Sequence, residues 1–316
     1  MTRQVRPPPE ITLLTRLHDL EPASTDRLLS RTKLRDPNLN ALHAVMAARL
    51  AGTSVAEANE LLERCRAQGL ATHDGHDWGL TDRGRALGYE AGELDAQRLS
   101  RLWGVIADIL PGRPSFARVL DVGGAGGTAG AAMREAGFLA RSGTYVAVDI
   151  SHRALTSGIE LSRLSGDEDP ATLRVQGTAY RLPLARGAVD CCVSRSTLYY
   201  LQKRTVLSEM TRVLSRGGYL IVAVPTMGYM TRRAWRGWSG GRLREAIKYT
   251  AATILGSIAW LGVDVRPPRA LFTGESRRGL RAQLARVPGL RLVFLKQLSL
   301  PFIGSPLLLV AEKLIE

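Results

Sequence analysis

Ten residues, 118–127, constrain this chain more than any other stretch: Arg-Val-Leu-Asp-Val-Gly-Gly-Ala-Gly-Gly. Val119-Leu120-Asp121-Val122 reads as the end of a buried strand, and Gly123, Gly124, Ala125, Gly126 and Gly127 add no bulk beyond one methyl. Thr128-Ala-Gly-Ala-Ala-Met133 then suits the start of a helix. A turn without Cβ atoms lets backbone approach a ligand closely. It also leaves amide N–H groups open at a helix start, where a polar or anionic group is welcome. A glycine-rich strand–turn–helix does not by itself choose the ligand, because nicotinamide and flavin proteins use the same device.

The residues downstream choose. Tyr145-Val-Ala-Val-Asp149-Ile150 reads as a second apolar strand ending in an acid, 28 positions after Asp121. A carboxylate there can hold a ribose diol by two hydrogen bonds. Next come Gly177-Thr-Ala-Tyr-Arg-Leu-Pro183-Leu and Val189-Asp190-Cys-Cys-Val-Ser-Arg-Ser-Thr-Leu198-Tyr-Tyr. Glu209-Met-Thr-Arg-Val-Leu-Ser-Arg-Gly217-Gly218 and Tyr219-Leu-Ile-Val-Ala-Val-Pro225 complete the series. Over about residues 101–316 this succession resembles the class I S-adenosylmethionine-dependent methyltransferases, especially the small-molecule group. The resemblance implies an α/β fold, a doubly wound, seven-stranded Rossmann-like sheet. It also implies S-adenosyl-L-methionine as cofactor, and it fixes the reaction far better than the acceptor.

Roles follow from the same resemblance. The 123–127 loop lies against the methionine end and ribose of the cofactor, and Asp121 contacts the methionine ammonium through water or backbone geometry. Asp149 bonds the ribose hydroxyls and Ile150 lies on the adenine face. The implied cofactor-binding set is Asp121, Gly123, Gly124, Ala125, Gly127, Asp149, Ile150, Thr178, Ala179 and Ser194. Ala125 stands where the family more often has glycine, a tolerable methyl. Thr178 stands where many relatives carry an acid that reads the adenine amino group. A threonine hydroxyl accepts that bond more weakly than a carboxylate, so backbone at 177–179 and stacking are expected to share the work. Ser194 and Arg195 border the sulfonium and the acceptor, where Arg195 meets either an acceptor anion or a nearby acid.

Methyl transfer is an in-line displacement at a carbon already activated by the sulfonium, so the protein chiefly aligns the partners and excludes water. A base is needed only for a nucleophile that arrives protonated. Plant-type O-methyltransferases place a histidine after the fourth strand for this. Here the matching place falls near Tyr199, and no histidine follows His152, which disfavours that mechanism. Tyr199 and Tyr200 either hydrogen-bond the nucleophile or wall the site. The catalytic candidates are Tyr199 and Arg195.

Residues 1–95 read as a separate, mainly helical domain that opens on a basic, Pro-rich arm without the apolar core of a leader peptide. Residues 40–50 carry apolar side chains at helical spacing. Thr53-Ser54 precede a helix at 55–66, with Glu57 placed for a capping box. Short strand, polar turn, short strand and a Thr-capped helix then occupy 69–87, a winged helix-turn-helix pattern. Such N-domains in plant-type O-methyltransferases pair two chains and wall the substrate site, so a homodimer is expected. DNA binding is the alternative, and Glu57, Glu60 and Glu63 make a poor phosphate-facing surface. His73 and His76 lack a third ligand at a metal spacing, and no metal is expected. Residues 96–110 form a connecting helix with a stripe of Leu99, Leu102, Trp103, Ile106, Ile109 and Leu110.

A chain of 316 residues has room for about two such domains. Cys65, Cys191 and Cys192 make neither a disulfide framework nor a zinc spacing, so a reducing cytoplasm fits. As strand neighbours, Cys191 and Cys192 should face opposite ways. No apolar run approaches the ~20 residues of a membrane span. The net charge of +14 favours anionic partners, unless it reflects an arginine-rich coding bias. The excess is concentrated late: residues 231–316 hold 15 Lys and Arg against 5 Asp and Glu.

The segment 226–274 is long for a link, and long insertions are usually functional. It opens with a basic-aromatic cluster and continues into a helix from about Arg242, with Ile247, Ala251, Ile254, Leu255 and Ile258 on one face. One reading is a lid over a hydrophobic acceptor. A second is peripheral contact with an anionic membrane, with Trp235, Trp238 and Trp260 as interfacial anchors. The third is RNA binding, which no recognised module accompanies, so nucleic acid is disfavoured as a partner. The sequence thus points to a methyltransferase on a small, largely apolar acceptor, a secondary metabolite or lipid-like molecule. The alternatives are an RNA base or membrane lipid as acceptor, or a non-catalytic winged-helix regulator that senses the cofactor or a metabolite.

Overall fold

The computed structural model describes residues 55–73, 78–84, 87, 96–110, 112, 115–127, 129–165, 169–239, 243–260, 263–267, 272–298 and 306–314. The helix expected at 40–50 and Ser54 of the expected capping box lie outside them. In chain order the elements begin with α1 (Val55–Ala67), β1 (Ala71–His73), β2 (Trp78–Leu80) and α2 (Ala96–Ile109). Then come β3 (Phe116–Val122), α3 (Ala129–Glu135), β4 (Leu139–Asp149), α4 (His152–Ser165) and β5 (Thr172–Gln176). After β6 (Val189–Arg195) a 3-10 turn (Leu198–Tyr200) leads to α5 (Lys203–Val213) and β7 (Leu214–Val224). The chain ends with α6 (Met227–Ser239), α7 (Leu243–Trp260), α8 (Arg277–Leu284), β8 (Leu290–Gln297) and β9 (Leu307–Lys313).

These residues divide into two compact units, Met1–Ala96 with Ser151–Pro170, and Gln97–Ile150 with Ala171–Glu316. In the first, β1 and β2 pair antiparallel. Cys65, Leu70, Ala71, Leu80 and Leu87 bury a small core that also takes Leu161 of α4. Thr81 caps the turn after β2, its Oγ1 accepting the Gly84 amide at 3.0 Å. Arg83 Nε donates to Glu160 at 2.7 Å, so α4 joins this unit by charge as well as by apolar contact. Ser151 caps α4, its Oγ accepting the Ala154 amide.

The second unit holds a seven-stranded sheet of order β5-β4-β3-β6-β7-β9-β8. Strands β3 to β7 run parallel, and β9 is antiparallel to both β7 and β8. The doubly wound, seven-stranded Rossmann-like sheet is as the resemblance implies. Both faces are covered, which is why the central strands read as almost unbroken apolar runs. On one face Trp103 of α2 stacks on Phe138, ring centroids 4.9 Å apart, with Val119, Cys191 and Ile221 beneath. On the other, Val206, Leu207 and Met210 of α5 and Leu280 of α8 cover Leu120, Cys192 and Leu220.

Two strands begin earlier than the apolar pattern suggests. β4 starts at Leu139 and passes through Arg141-Ser142-Gly143, and β7 starts at Leu214 and passes through Arg216-Gly217-Gly218. Polar, glycine-bearing stretches of this kind suit turns as readily as strands. They remain in the sheet at register shifts, where a Cβ at Gly143 would meet the Ala117 carbonyl oxygen at 2.9 Å and one at Gly218 the Asp190 carbonyl oxygen at 2.7 Å.

Cys191 and Cys192 do face opposite sides of the sheet, one in each core. Burial pushes both thiols well above their usual range, against nucleophilic or redox use. Cys65 is also reduced and buried. Ellman's reagent should therefore register no rapidly reacting thiol in the native protein and all 3 after denaturation.

Candidate active site

The 123–127 loop leaves the carboxyl end of β3 and is held from several strands. Its Gly123 amide donates to the Val148 carbonyl of β4 at 2.8 Å. The Ala125 amide donates to Asp149 Oδ2 at 3.1 Å. Arg174 Nε of β5 donates to the Gly126 carbonyl at 2.6 Å, and Thr197 Oγ1 to the Gly123 carbonyl at 3.3 Å. Parallel register explains the reach of Arg174, since Asp121, Ala147 and Arg174 stand in one row across three strands.

Conformation explains the residue types. Gly123 has φ +73°, and a Cβ there would fall 2.2 Å from Thr197 Oγ1. Ala125, at φ +45°, occupies the left-handed region with a side chain attached. Such a residue carries roughly 1–2 kcal/mol of strain. The extra methyl is therefore a strained feature of the loop, held in place by the Asp149 bond.

The predicted cofactor residues sort into two groups. Gly123, Gly124, Ala125, Gly127, Asp149, Ile150, Thr178 and Ala179 gather at the carboxyl edge of β3, β4 and β5. Asp149 is half-buried, and Ile150 beside it is 73% exposed. Thr178 Oγ1 accepts the Tyr180 amide at 3.3 Å, and its carbonyl accepts the Arg181 amide, closing a turn around the partly buried Ala179. Asp121 and Ser194 form the second group, each 1% exposed. Asp121 Oδ2 accepts the Tyr145 hydroxyl at 2.6 Å, and Ser194 Oγ donates to the Val122 carbonyl at 3.1 Å. Both brace the loop from inside the sheet. Burial and the Asp121 charge raise the Tyr145 phenol well above its usual range, while the Arg195 and Arg174 cations pull it down. Tyr145 thus stays protonated and donates.

Beyond β6 the backbone turns sharply. Ser196 has φ +51° without being glycine, and its amide donates to the Ala223 carbonyl. Strain of this kind gathers at functional turns. It launches the 3-10 turn carrying the two tyrosines, whose hydroxyl oxygens lie 3.2 Å apart and ring centroids 4.2 Å apart. Phe272 meets both rings edge-on at 5.6 and 5.7 Å, and Tyr249 of α7 meets Phe272 at 5.3 Å. Met230 and Tyr229 of α6 and Ala252 of α7 complete an aromatic-apolar cluster. The half-buried Tyr199 and Arg195 and the more exposed Tyr200 therefore stand at the same edge as the loop.

A buried ion pair fixes that cluster. Lys203 Nζ lies 2.9 Å from Glu275 Oε1, each side chain 1% exposed, and donates to Thr273 Oγ1 at 2.8 Å. Thr273 Oγ1 in turn lies 2.6 Å from Glu275, and the Thr273 amide donates to the Tyr199 carbonyl at 2.9 Å. Burial lifts the Glu275 carboxyl above its usual range, and Lys203 and Thr273 oppose that shift.

Arg174, Thr197, Phe272, Tyr249 and the Lys203–Thr273–Glu275 set are absent from the sequence reading. Only Arg174 had a usable signal, its register opposite Ala147. The others depend on contacts between distant residues: 23 positions separate Tyr249 from Phe272, and 70 separate Lys203 from Thr273.

Residues 120–222 match a family model described as a methyltransferase domain. No curated protein matches the chain. Among solved structures it is similar to a putative methyltransferase of Haloferax volcanii, in complex with a methyltransferase activator. That match has 16% identity, covers 72% of this chain and 94% of that one, and has a TM-score of 0.50. A putative O-methyltransferase of Nostoc punctiforme shares 14% identity over 85% of this chain and 88% of its own, with a TM-score of 0.47. A geranyl diphosphate methyltransferase in complex with S-adenosylmethionine shares 17% identity over 72% of this chain and 91% of its own, with a TM-score of 0.46. At these identities the likeness is one of fold.

Gly123 and Gly137 offer a matched test of the loop. Gly137 has φ +71°, but nothing lies within 4 Å of its missing Cβ. Gly137→Ala should cost about 1 kcal/mol from backbone strain alone, whereas Gly123→Ala adds the Thr197 collision and should cost about 2–4 kcal/mol in urea unfolding. Equal losses would mean that the loop yields to Thr197.

Proposed function

We propose that this S-adenosylmethionine-dependent methyltransferase methylates a small, largely apolar acceptor, a secondary metabolite or lipid-like molecule, received between the glycine-rich loop and the Tyr199–Phe272 cluster. The observation that carries the reading is the aromatic wall itself. Tyr199, Tyr200 and Tyr249 pack around the buried Phe272, with Tyr229 beside Tyr249, and the parts of the tyrosine rings left accessible suit an apolar molecule.

S-adenosylmethionine is the cofactor, and the residues present fit it. The 123–127 backbone has no side chain larger than a methyl, Asp149 is an acceptor at the next strand end, and Ile150 offers an exposed apolar face beside it. When bound, the cofactor supplies a methyl group already activated by a sulfonium. Asp149 already accepts the Ala125 amide, and a carboxylate has room for further donors, here the ribose hydroxyls. In this reading the acid couples loop shape to nucleoside binding. Thr178 and Ala179 hold the adenine edge through their turn. Asp121 and Ser194 act through the loop they brace.

The Tyr199 and Tyr200 hydroxyl oxygens lie 3.2 Å apart, and in this reading the Tyr199 hydroxyl orients the acceptor's nucleophilic atom. Arg195 supplies positive charge at the same edge, toward an anionic group of the acceptor. No histidine lies beyond His152, so deprotonation by a histidine base plays no part in this reading. Positioning and exclusion of water are left as the protein's contribution. Helices α6 and α7 act as the lid of this site. Residues 1–95 are assigned to pairing two chains as a winged-helix domain, for which the described α1–β1–β2 succession is the support. The reduced, buried cysteines support a cytoplasmic setting.

Two substitutions test the assignments separately. Asp149→Ala removes a charged acceptor and should weaken S-adenosylmethionine binding about 10- to 100-fold by calorimetry, with far-ultraviolet dichroism unchanged. Unaltered affinity would contradict the ribose role. Tyr199→Phe should lower kcat about tenfold while cofactor affinity stays as it was. A wild-type rate would reduce Tyr199 to a wall residue.

A further inference from the structure

Helix α7 is inside out for a helix in water. Ala246, Tyr249, Ala252 and Gly256 face the protein, with both alanines fully buried. A Cβ at Gly256 would meet the Gly274 carbonyl oxygen at 2.4 Å, so glycine is required at that point of the helix. The large aliphatic side chains look outward: Leu243 is 58% exposed, Ile247 54%, Ile254 58% and Ile258 39%. At about 100° per residue these four positions share an arc of roughly 60°. They form a stripe rather than scattered single residues.

Helix α6 extends the stripe. Trp235 is 72% and Trp238 54% exposed. Trp238 Nε1 donates to Thr250 Oγ1 at 3.2 Å, and Thr250 lies on the same arc as Ile247 and Ile254, so the tryptophan edge adjoins the aliphatic row. Exposed cations run alongside: Arg232 and Arg236 on α6 and Arg244 on α7. From 227 to 260 the sequence holds 6 Lys and Arg and 1 acidic residue. Among the described residues no helix is long and apolar enough to cross a membrane.

We infer that the outer face of α6 and α7 docks on an anionic lipid bilayer, lying in the headgroup plane with Trp235 and Trp238 at the interface and the isoleucines among the upper acyl chains. An apolar stripe bordered by arginines, with tryptophans at its edge, is the pattern of a helix pair that lies on a membrane. Charge selects this occupant over a second copy of the chain. A symmetric self-interface would set Arg232, Arg236 and Arg244 against their own counterparts, whereas a phosphatidylserine surface neutralises them. The inference is independent of the acceptor's identity, because it concerns the side of the helices turned away from Tyr249 and Ala252.

Sedimentation of the 316-residue protein with phosphatidylcholine vesicles, with and without phosphatidylserine, tests it. Binding is expected only with phosphatidylserine, with a blue shift of tryptophan emission and a steep loss on adding salt. The double substitution Trp235→Ser, Ile254→Ser alters only exposed side chains. It should weaken binding at least about tenfold while thermal unfolding and S-adenosylmethionine affinity stay unchanged. Arg232→Glu with Arg236→Glu should weaken it by about as much. The inference is overturned if vesicles do not retain the protein at low salt, or if the Trp235→Ser, Ile254→Ser protein binds as well as the parent. It falls equally if these substitutions convert a dimer to a monomer in sedimentation velocity without touching vesicle binding. Retention of RNA in preference to lipid, abolished by the same variants, would also overturn it.

Discussion

The backbone of residues 123–127 is shaped by groups that arrive from three other strands, and the rest of the site depends on that convergence. Asp149 takes the Ala125 amide, Arg174 reaches the Gly126 carbonyl and Thr197 the Gly123 carbonyl. None of these would meet the loop without the order β5-β4-β3-β6, which sets the two outer strands on either side of β3 and β4. Parallel pairing turns a topological fact into a chemical one. The acid, the cation and the hydroxyl come from different parts of the chain, and the strand order brings all three to the same loop.

Asp149 carries two demands at once. It accepts from a residue whose φ of +45° is unfavourable for anything but glycine, and in the proposed reading it also accepts from ribose. The strain in Ala125 and the hydrogen bond to Asp149 are therefore opposing contributions to the same conformation. A ligand that competes for the carboxylate acts on the loop's shape as well as on its own binding. Beneath the loop, Asp121 and Tyr145 are buried and bonded at 2.6 Å, bracing the turn from inside the sheet.

What could be read in the sequence, and what could not, divides along the range of the interactions. The loop, Asp149, the strand succession and the opposed cysteines are local patterns, and each appears at the expected residues. Asp121 and Ser194 were legible as site positions, but not as buried braces, because only the sheet register shows what their oxygens meet. The early starts of β4 and β7 were hidden by glycines that suit turns as readily as strands. In fact these glycines admit a neighbouring carbonyl at a register shift. The Lys203–Glu275 pair was invisible for a different reason: seventy-two positions separate two residues that read as ordinary surface charges. Burying them is costly unless both are matched, and here Thr273 and each other's charge match them.

That pair also settles which side of α7 meets the protein. Helical periodicity finds an apolar row at Ile247, Ile254 and Ile258 but cannot tell whether it faces core or surroundings. The decision is made by the return segment 272–276, tied to α5 through Glu275 and to the end of β7 through the Glu275 amide bond to Pro225. Backbone held so closely against α7 admits only glycine at position 256, as the 2.4 Å approach to the Gly274 oxygen requires, while Ala246, Tyr249 and Ala252 fill the rest of the inner face. The isoleucines are then directed outward by exclusion. A buried electrostatic contact near Tyr199 thus determines the character of a surface on the far side of a helix.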